Sequence, residues 1–162
     1  MSNMEIYTMG VYGSSEDSFF KLLIDNEIDA FCDIRQRRGV RGSQYSYVNS
    51  NYLQEKLSVM NIRYYYEKLL APTNEIRQKQ KDDDKQKHID KKQRTELGLV
   101  FKSEYIKQIL DNYDIDALID RFVKEGVKKV VFFCVEQNAL ACHRSLVASR
   151  IAKKIDKIVV HL

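Results

Sequence analysis

Short apolar runs of strand character alternate along the chain with segments whose apolar residues recur at helical spacing. Glu5–Met9 alternates and stops at Gly10, which predicts a first strand. Ser14 and Asp17 have capping-box spacing, and Phe19, Phe20, Leu22 and Leu23 supply one helix face up to about Asn26. Ala30–Ile34, broken by Asp33, reads as a second strand. Asn49 or Ser50 caps a helix carrying Leu53, Leu57 and Met60, and Ile62–Tyr66 reads as a third strand. Ser103–Asn112 and Asp114–Glu125 are helical in pattern, the second stopping at Gly126. Lys129–Val135 is nearly continuous apolar sequence, as a strand buried on both faces requires. A helix from Asn138 to about Lys154, with Leu140, Val147 and Ile151 as its stripe, leads to a closing strand at Lys157–His161. The alternation predicts one α/β domain over 1–162, with a mostly parallel sheet of about five strands and helices on both faces.

The length of 162 residues fits one domain, and 44% hydrophobic against 31% charged residues is enough to build a core. No run of 18 apolar residues predicts a membrane span, and the first residues lack the pattern of a secretory signal. Three cysteines, an odd number, fit a reducing, cytoplasmic setting better than a disulfide framework.

Charge is concentrated in two places. The window 77–94 holds eight Lys or Arg and four Asp, and its net of +4 equals that of the whole chain. With so little to bury, residues at about 77–97 are expected to form a charged, mobile insert. The second place is Arg35–Arg41, with four arginines and no acid. Clustered arginine suits two-point contacts to phosphate or carboxylate.

In a parallel α/β sheet, ligands bind beyond the carboxyl ends of the strands. Three such ends carry chemistry: Gly10 after the first strand, Asp33 and Arg35 after the second, and Cys134 and Glu136 leading to Cys142, His143, Arg144 and Ser145 after the fourth. A helix packing on a sheet has no packing reason to place His143 and Arg144 within its apolar stripe, and early helix turns favour anions. The competing reading is a buried network pairing Glu136 with Arg144 and His143 with a backbone carbonyl. A thiolate at Cys142, stabilised by the helix start and Arg144, is a candidate nucleophile. A phosphatase-type loop is excluded because Leu140 stands where its arginine would be. Seven residues separate Cys134 from Cys142, outside the close spacing of zinc ligands, so no metal site is read here. Tyr45, Tyr47 and Tyr64–Tyr66, near arginines, offer stacking surfaces for nucleotide bases.

Four segments resemble, in order, the prokaryotic family of domain of unknown function 488: IYTMG, FCDIRQRRGVRGSQY, NIRYYYEKLLAPTNEIR and the closing FFCVEQNALACHRSLVASRIAKKIDKIVVHL. The Cys-x-Glu and Cys-His-Arg-Ser elements are the most specific. The resemblance implies a compact α/β domain and no settled activity. Its motif positions fall on Gly10, Asp33, Arg35, Ser43, Tyr45, Leu69, Cys134, Glu136, Cys142, His143, Arg144 and Ser145. Asn138-Ala139 stands where members often have Asp-Pro, and Tyr45 where many have Phe.

The resulting expectation is a small cytoplasmic enzyme, or enzyme-like binder, for an anionic ligand of phosphate or nucleotide type at the C-terminal sheet edge. Its catalytic candidates are Glu136, His143, Cys142 and Asp33. Its anion-binding candidates are Arg35, Arg144, Ser145, Gly10 and Tyr45. The alternative is a nucleic-acid-binding accessory protein using the basic segments 35–41 and 77–94. Neither reading names a cofactor.

Overall fold

The computed structural model describes residues 2–90 and 93–162. Five strands form one sheet: β1 (Glu5–Met9), β2 (Ala30–Asp33), β3 (Arg63–Tyr66), β4 (Lys129–Phe133) and β5 (Val159–His161). Their order is β3-β2-β4-β1-β5 and every pairing is parallel. The central strand β4 is the continuous Val-Val-Phe-Phe run, and all of its residues but Lys129 are buried. Six α-helices cover the sheet among the described residues: α1 (Glu16–Asp25), α2 (Ser50–Val59), α3 (Asn74–Gln86), α4 (Leu99–Gln108), α5 (Ile115–Lys124) and α6 (His143–Lys154). The α/β class with one mostly parallel sheet of five strands is therefore as expected. None of these helices is long and apolar enough to cross a membrane.

Strand alternation divides the core into two layers. Tyr7, Met9, Phe31, Val131 and Phe133 pack with Phe19, Leu23, Leu53 and Leu57, placing α1 and α2 on one face. Ile6, Ala30, Cys32, Val130 and Phe132 pack with Phe101, Leu118, Phe122, Val147 and Ile151, placing α4, α5 and α6 on the other. The adjacent strands β1 and β4 thus send their outgoing chains to opposite faces, β1 into α1 and β4 into α6. This is the topological switch point at which open α/β sheets form ligand crevices.

Several local expectations need correction. The capping box of α1 is formed by Ser15 and Ser18, not by Ser14 and Asp17, whose place is taken because Ser14 donates to the Val11 carbonyl. Helix α4 begins at Leu99, before Ser103. Its first residues, Leu99 and Val100, are exposed and disguise the start, while the Gly98 N–H is held by the buried Gln80 side chain at 2.9 Å. The segment read as an insert with nothing to bury holds α3, a thirteen-residue helix capped by Thr73, whose Gln80 and Asp84 are buried. The last helix does not run unbroken from Asn138. Asn138 caps a 3-10 turn, Ala139–Ala141, and α6 starts at His143 after an extended Cys142. Leu140 is exposed on that turn and is not part of the stripe.

Candidate functional site

At the switch point the β1 and β4 exits lock together through their backbones. The Val11 and Tyr12 N–H groups both donate to the Val135 carbonyl, at 3.1 and 3.0 Å. Gly10 lies so close that an added Cβ would stand 1.8 Å from the Glu136 carbonyl oxygen and 3.3 Å from Arg144 Nη1. Glycine is required by this approach, not by its backbone angles. Arg144, 1% exposed, spans the same point, donating from Nη1 to the Glu136 carbonyl at 2.6 Å and from Nη2 to that of Gln137 at 3.3 Å. Its Nε is buried and has no hydrogen-bond partner among the described residues.

Beyond the end of β2, Asp33 grips Arg35. Arg35 Nε and Nη2 donate to the two carboxylate oxygens at 2.8 and 2.7 Å, the Arg35 backbone N–H adds a third bond, and Tyr64 Oη donates to Oδ2 at 2.6 Å. Both residues of the pair are buried, and the guanidinium lies 4.9 Å over the Phe133 ring. Arg35 Nη1 is buried and, like Arg144 Nε, finds no acceptor among the described residues. With its oxygens taken, Asp33 positions Arg35.

On the α3–α6 face the polar network differs from either sequence reading. Glu136 is bound by Arg94, not by Arg144. Arg94 reaches Glu136 Oε1 at 3.1 Å and Asp84 at 2.6 Å, and both Nε and Nη2 also donate to the Ala141 carbonyl. The backbone partner foreseen for His143 is present: Nε2 lies 2.9 Å from the Ile34 carbonyl. A carbonyl only accepts, so Nε2 carries a proton, and Nδ1 faces Cys142 Sγ at 3.7 Å. Cys134 completes a group whose two Sγ atoms and one His143 ring nitrogen all lie within 4.8 Å of one another. Tyr105, fully buried, faces the His143 ring with centroids 5.5 Å apart and donates to the Leu70 carbonyl.

The electrostatics of this group favour charge separation. Burial opposes ionisation of Cys142, but a hydrogen bond from Cys134 and the positive charges of His143 and Arg144 outweigh it and hold the thiol well below its ordinary range. Burial likewise opposes charging of His143, and the Cys142 sulfur reverses it, so the imidazole is held above its ordinary value. The hydrogen bond to Cys142 and burial push the Cys134 thiol up. Cys142 is only 3% exposed, so this thiol does not face solvent.

The remaining expected residues have local tasks. Ser145 donates its hydroxyl to the Cys142 carbonyl at 2.9 Å. Tyr45 Oη accepts the Gly13 N–H at 3.0 Å, and its ring lies 5.3 Å from that of Tyr12. In the basic segments, Arg38 lies 4.1 Å over the Tyr66 ring, while Lys87 pairs with Asp83 and Lys79 with Glu104. Lys91 and Lys92 lie outside the described residues. Sequence reasoning missed Arg94, Asp84 and Tyr105. No local pattern links Arg94 to Glu136, 42 positions away.

A family model, Domain of unknown function DUF488, matches residues 15–151. No curated protein and no solved structure matches the chain.

Proposed function

The chain belongs to the family of Domain of unknown function DUF488, and from that premise we propose that it is a small enzyme, or enzyme-like binder, for an anionic ligand of phosphate or nucleotide type at the C-terminal sheet edge. The observation that carries this reading is a pair of buried guanidinium N–H groups at that edge, Arg35 Nη1 and Arg144 Nε, without acceptors among the described residues. Buried donors are otherwise nearly always satisfied, and a charged one is costly to leave unpaired. Both guanidiniums are also held rigid by their other nitrogens, so a ligand oxygen would meet an organised donor. The switch point at Gly10 and Glu136 supports the same location. In this reading Arg144 and Arg35 bind the anion, Asp33 and Gln137 orient them, and Glu136 is the carboxylate within the site.

Calorimetric titration with orthophosphate and with AMP tests the reading. Saturable one-site binding is expected, weakened at least about tenfold in Arg144→Lys, which keeps the charge but loses the fork. Raising salt from about 50 to 200 mM should change the affinity little, whereas binding through many phosphate contacts would lose about 10³–10⁵. Absence of binding to the wild type refutes the proposal. The nucleic-acid reading gains no support from the basic segments, where Arg35, Arg38 and Arg94 are already engaged within the fold.

A further inference from the structure

We propose that Cys134, Cys142 and His143 form a zinc site with three protein ligands and one open coordination position. The proposal goes beyond anion binding and does not depend on it.

The donor set suits the ion. Zinc is borderline-soft and takes thiolate sulfur and imidazole nitrogen, and two cysteines with one histidine are a known catalytic ligand set. The geometry is close to what the ion requires. With Zn–S at about 2.3 Å and Zn–N at about 2.0 Å, tetrahedral ligand atoms stand roughly 3.5–3.8 Å apart. Cys142 Sγ and His143 Nδ1 are already 3.7 Å apart, and no pair in the group exceeds 4.8 Å.

Orientation is fixed from behind. A ligating histidine ordinarily donates its other ring N–H to a carboxylate or backbone carbonyl, which sets the tautomer and aims the lone pair. The Ile34 carbonyl does this here, at 2.9 Å from Nε2. Ser145 donates to the Cys142 carbonyl and steadies the turn from which the thiol projects. Charge also balances: two thiolates neutralise a divalent cation, as a site walled by buried Tyr105 requires. Tyr105 itself is committed to the Leu70 carbonyl and supplies no fourth ligand.

The seven-residue separation of the cysteines is no obstacle, because the fold removes it. Asn138 and the Ala139–Ala141 turn reverse the chain, and Arg94 fastens the Ala141 carbonyl, so Cys142 returns to the strand end that carries Cys134. Three protein donors leave one tetrahedral position for water or an anionic oxygen, the arrangement of catalytic rather than structural zinc.

The test uses the full chain, freed of metal by chelator under reducing conditions and titrated with Co²⁺, then Zn²⁺. Wild type and Cys32→Ala, whose cysteine is not a member of the group, are expected to take up about one ion each. They should give a thiolate-to-cobalt charge-transfer band that zinc abolishes stoichiometrically. Cys134→Ser and Cys142→Ser should lose the band, with far-UV circular dichroism confirming their fold. Native mass spectrometry of wild type produced in zinc-supplemented medium needs no variant and should show one zinc per chain. A wild type that stays metal-free in both measurements overturns the proposal, as does a band unchanged in either serine variant. Phosphate titration of the metal-free protein reads the anion proposal separately.

Discussion

Replacing Arg94 by methionine removes a cation that is itself buried and faces two buried carboxylates. Asp84 lies 2.6 Å from one of its terminal nitrogens and Glu136 3.1 Å from the other, and the Ala141 carbonyl loses two donors. The side chains of the three ion-pair members are 8–10% exposed, so water screens them weakly. Breaking a buried pair by deleting one partner costs about 3–5 kcal/mol, because the other charge stays buried and uncompensated. A domain of this size shifts by roughly 2–4 °C per kcal/mol, so the midpoint should fall by roughly 6–20 °C. Thermal unfolding followed by circular dichroism, with urea titration as a check on the free energy, measures this. The Arg94→Met/Asp84→Asn/Glu136→Gln triple variant should regain at least about half of the loss, since it removes the two carboxylate charges that Arg94 had faced. A single-variant loss under about 1 kcal/mol, the level of an exposed pair, would refute the claim that Arg94 ties α3 and the β4–α6 turn into one network.

Gly10→Ala should cost about 1–3 kcal/mol, read as a lower thermal midpoint, because its methyl would overlap the Glu136 carbonyl and force the two strand exits apart. Tyr105→Phe should cost about 1–3 kcal/mol in urea titration by stranding the Leu70 carbonyl; an unchanged midpoint would mean another donor replaces it. His161, whose Nδ1 meets the Thr8 hydroxyl at 2.6 Å, is held below its ordinary pKa by burial and by Arg144. As pH falls through about 6.5 the unfolded chain takes up the proton first, so stability present at neutral pH declines toward the folded pKa. The decline of thermal midpoint on acidification should be shallower in His161→Asn, and an equally steep decline would contradict the assignment.

The central strand was readable because a parallel strand buried on both faces must be apolar without interruption, as Val130–Phe133 is. The convergence of Gly10, Asp33, Arg35, Cys134 and Glu136 at one edge followed from that topology. Partners within the site were harder to read. Asp84 and Arg94 sit in a run whose composition resembles a solvated face, and only the folding of α3 against α4 turns them inward. The start of α4 was hidden because exposed Leu99 and Val100 break the polar–apolar pattern. The proximity of Cys134 to Cys142 depends on a 3-10 turn that local spacing does not encode, since Asn138 caps a turn there as readily as a helix.

Anomalous diffraction from crystals soaked in tungstate, a tetrahedral oxyanion, tests the anion site most directly. The expected result is a peak whose oxygens lie roughly 2.7–3.2 Å from Arg144 Nε or Arg35 Nη1, at the crevice beside Gly10 and Glu136. Tungstate bound only to exposed lysines, or no peak at that crevice, would contradict it.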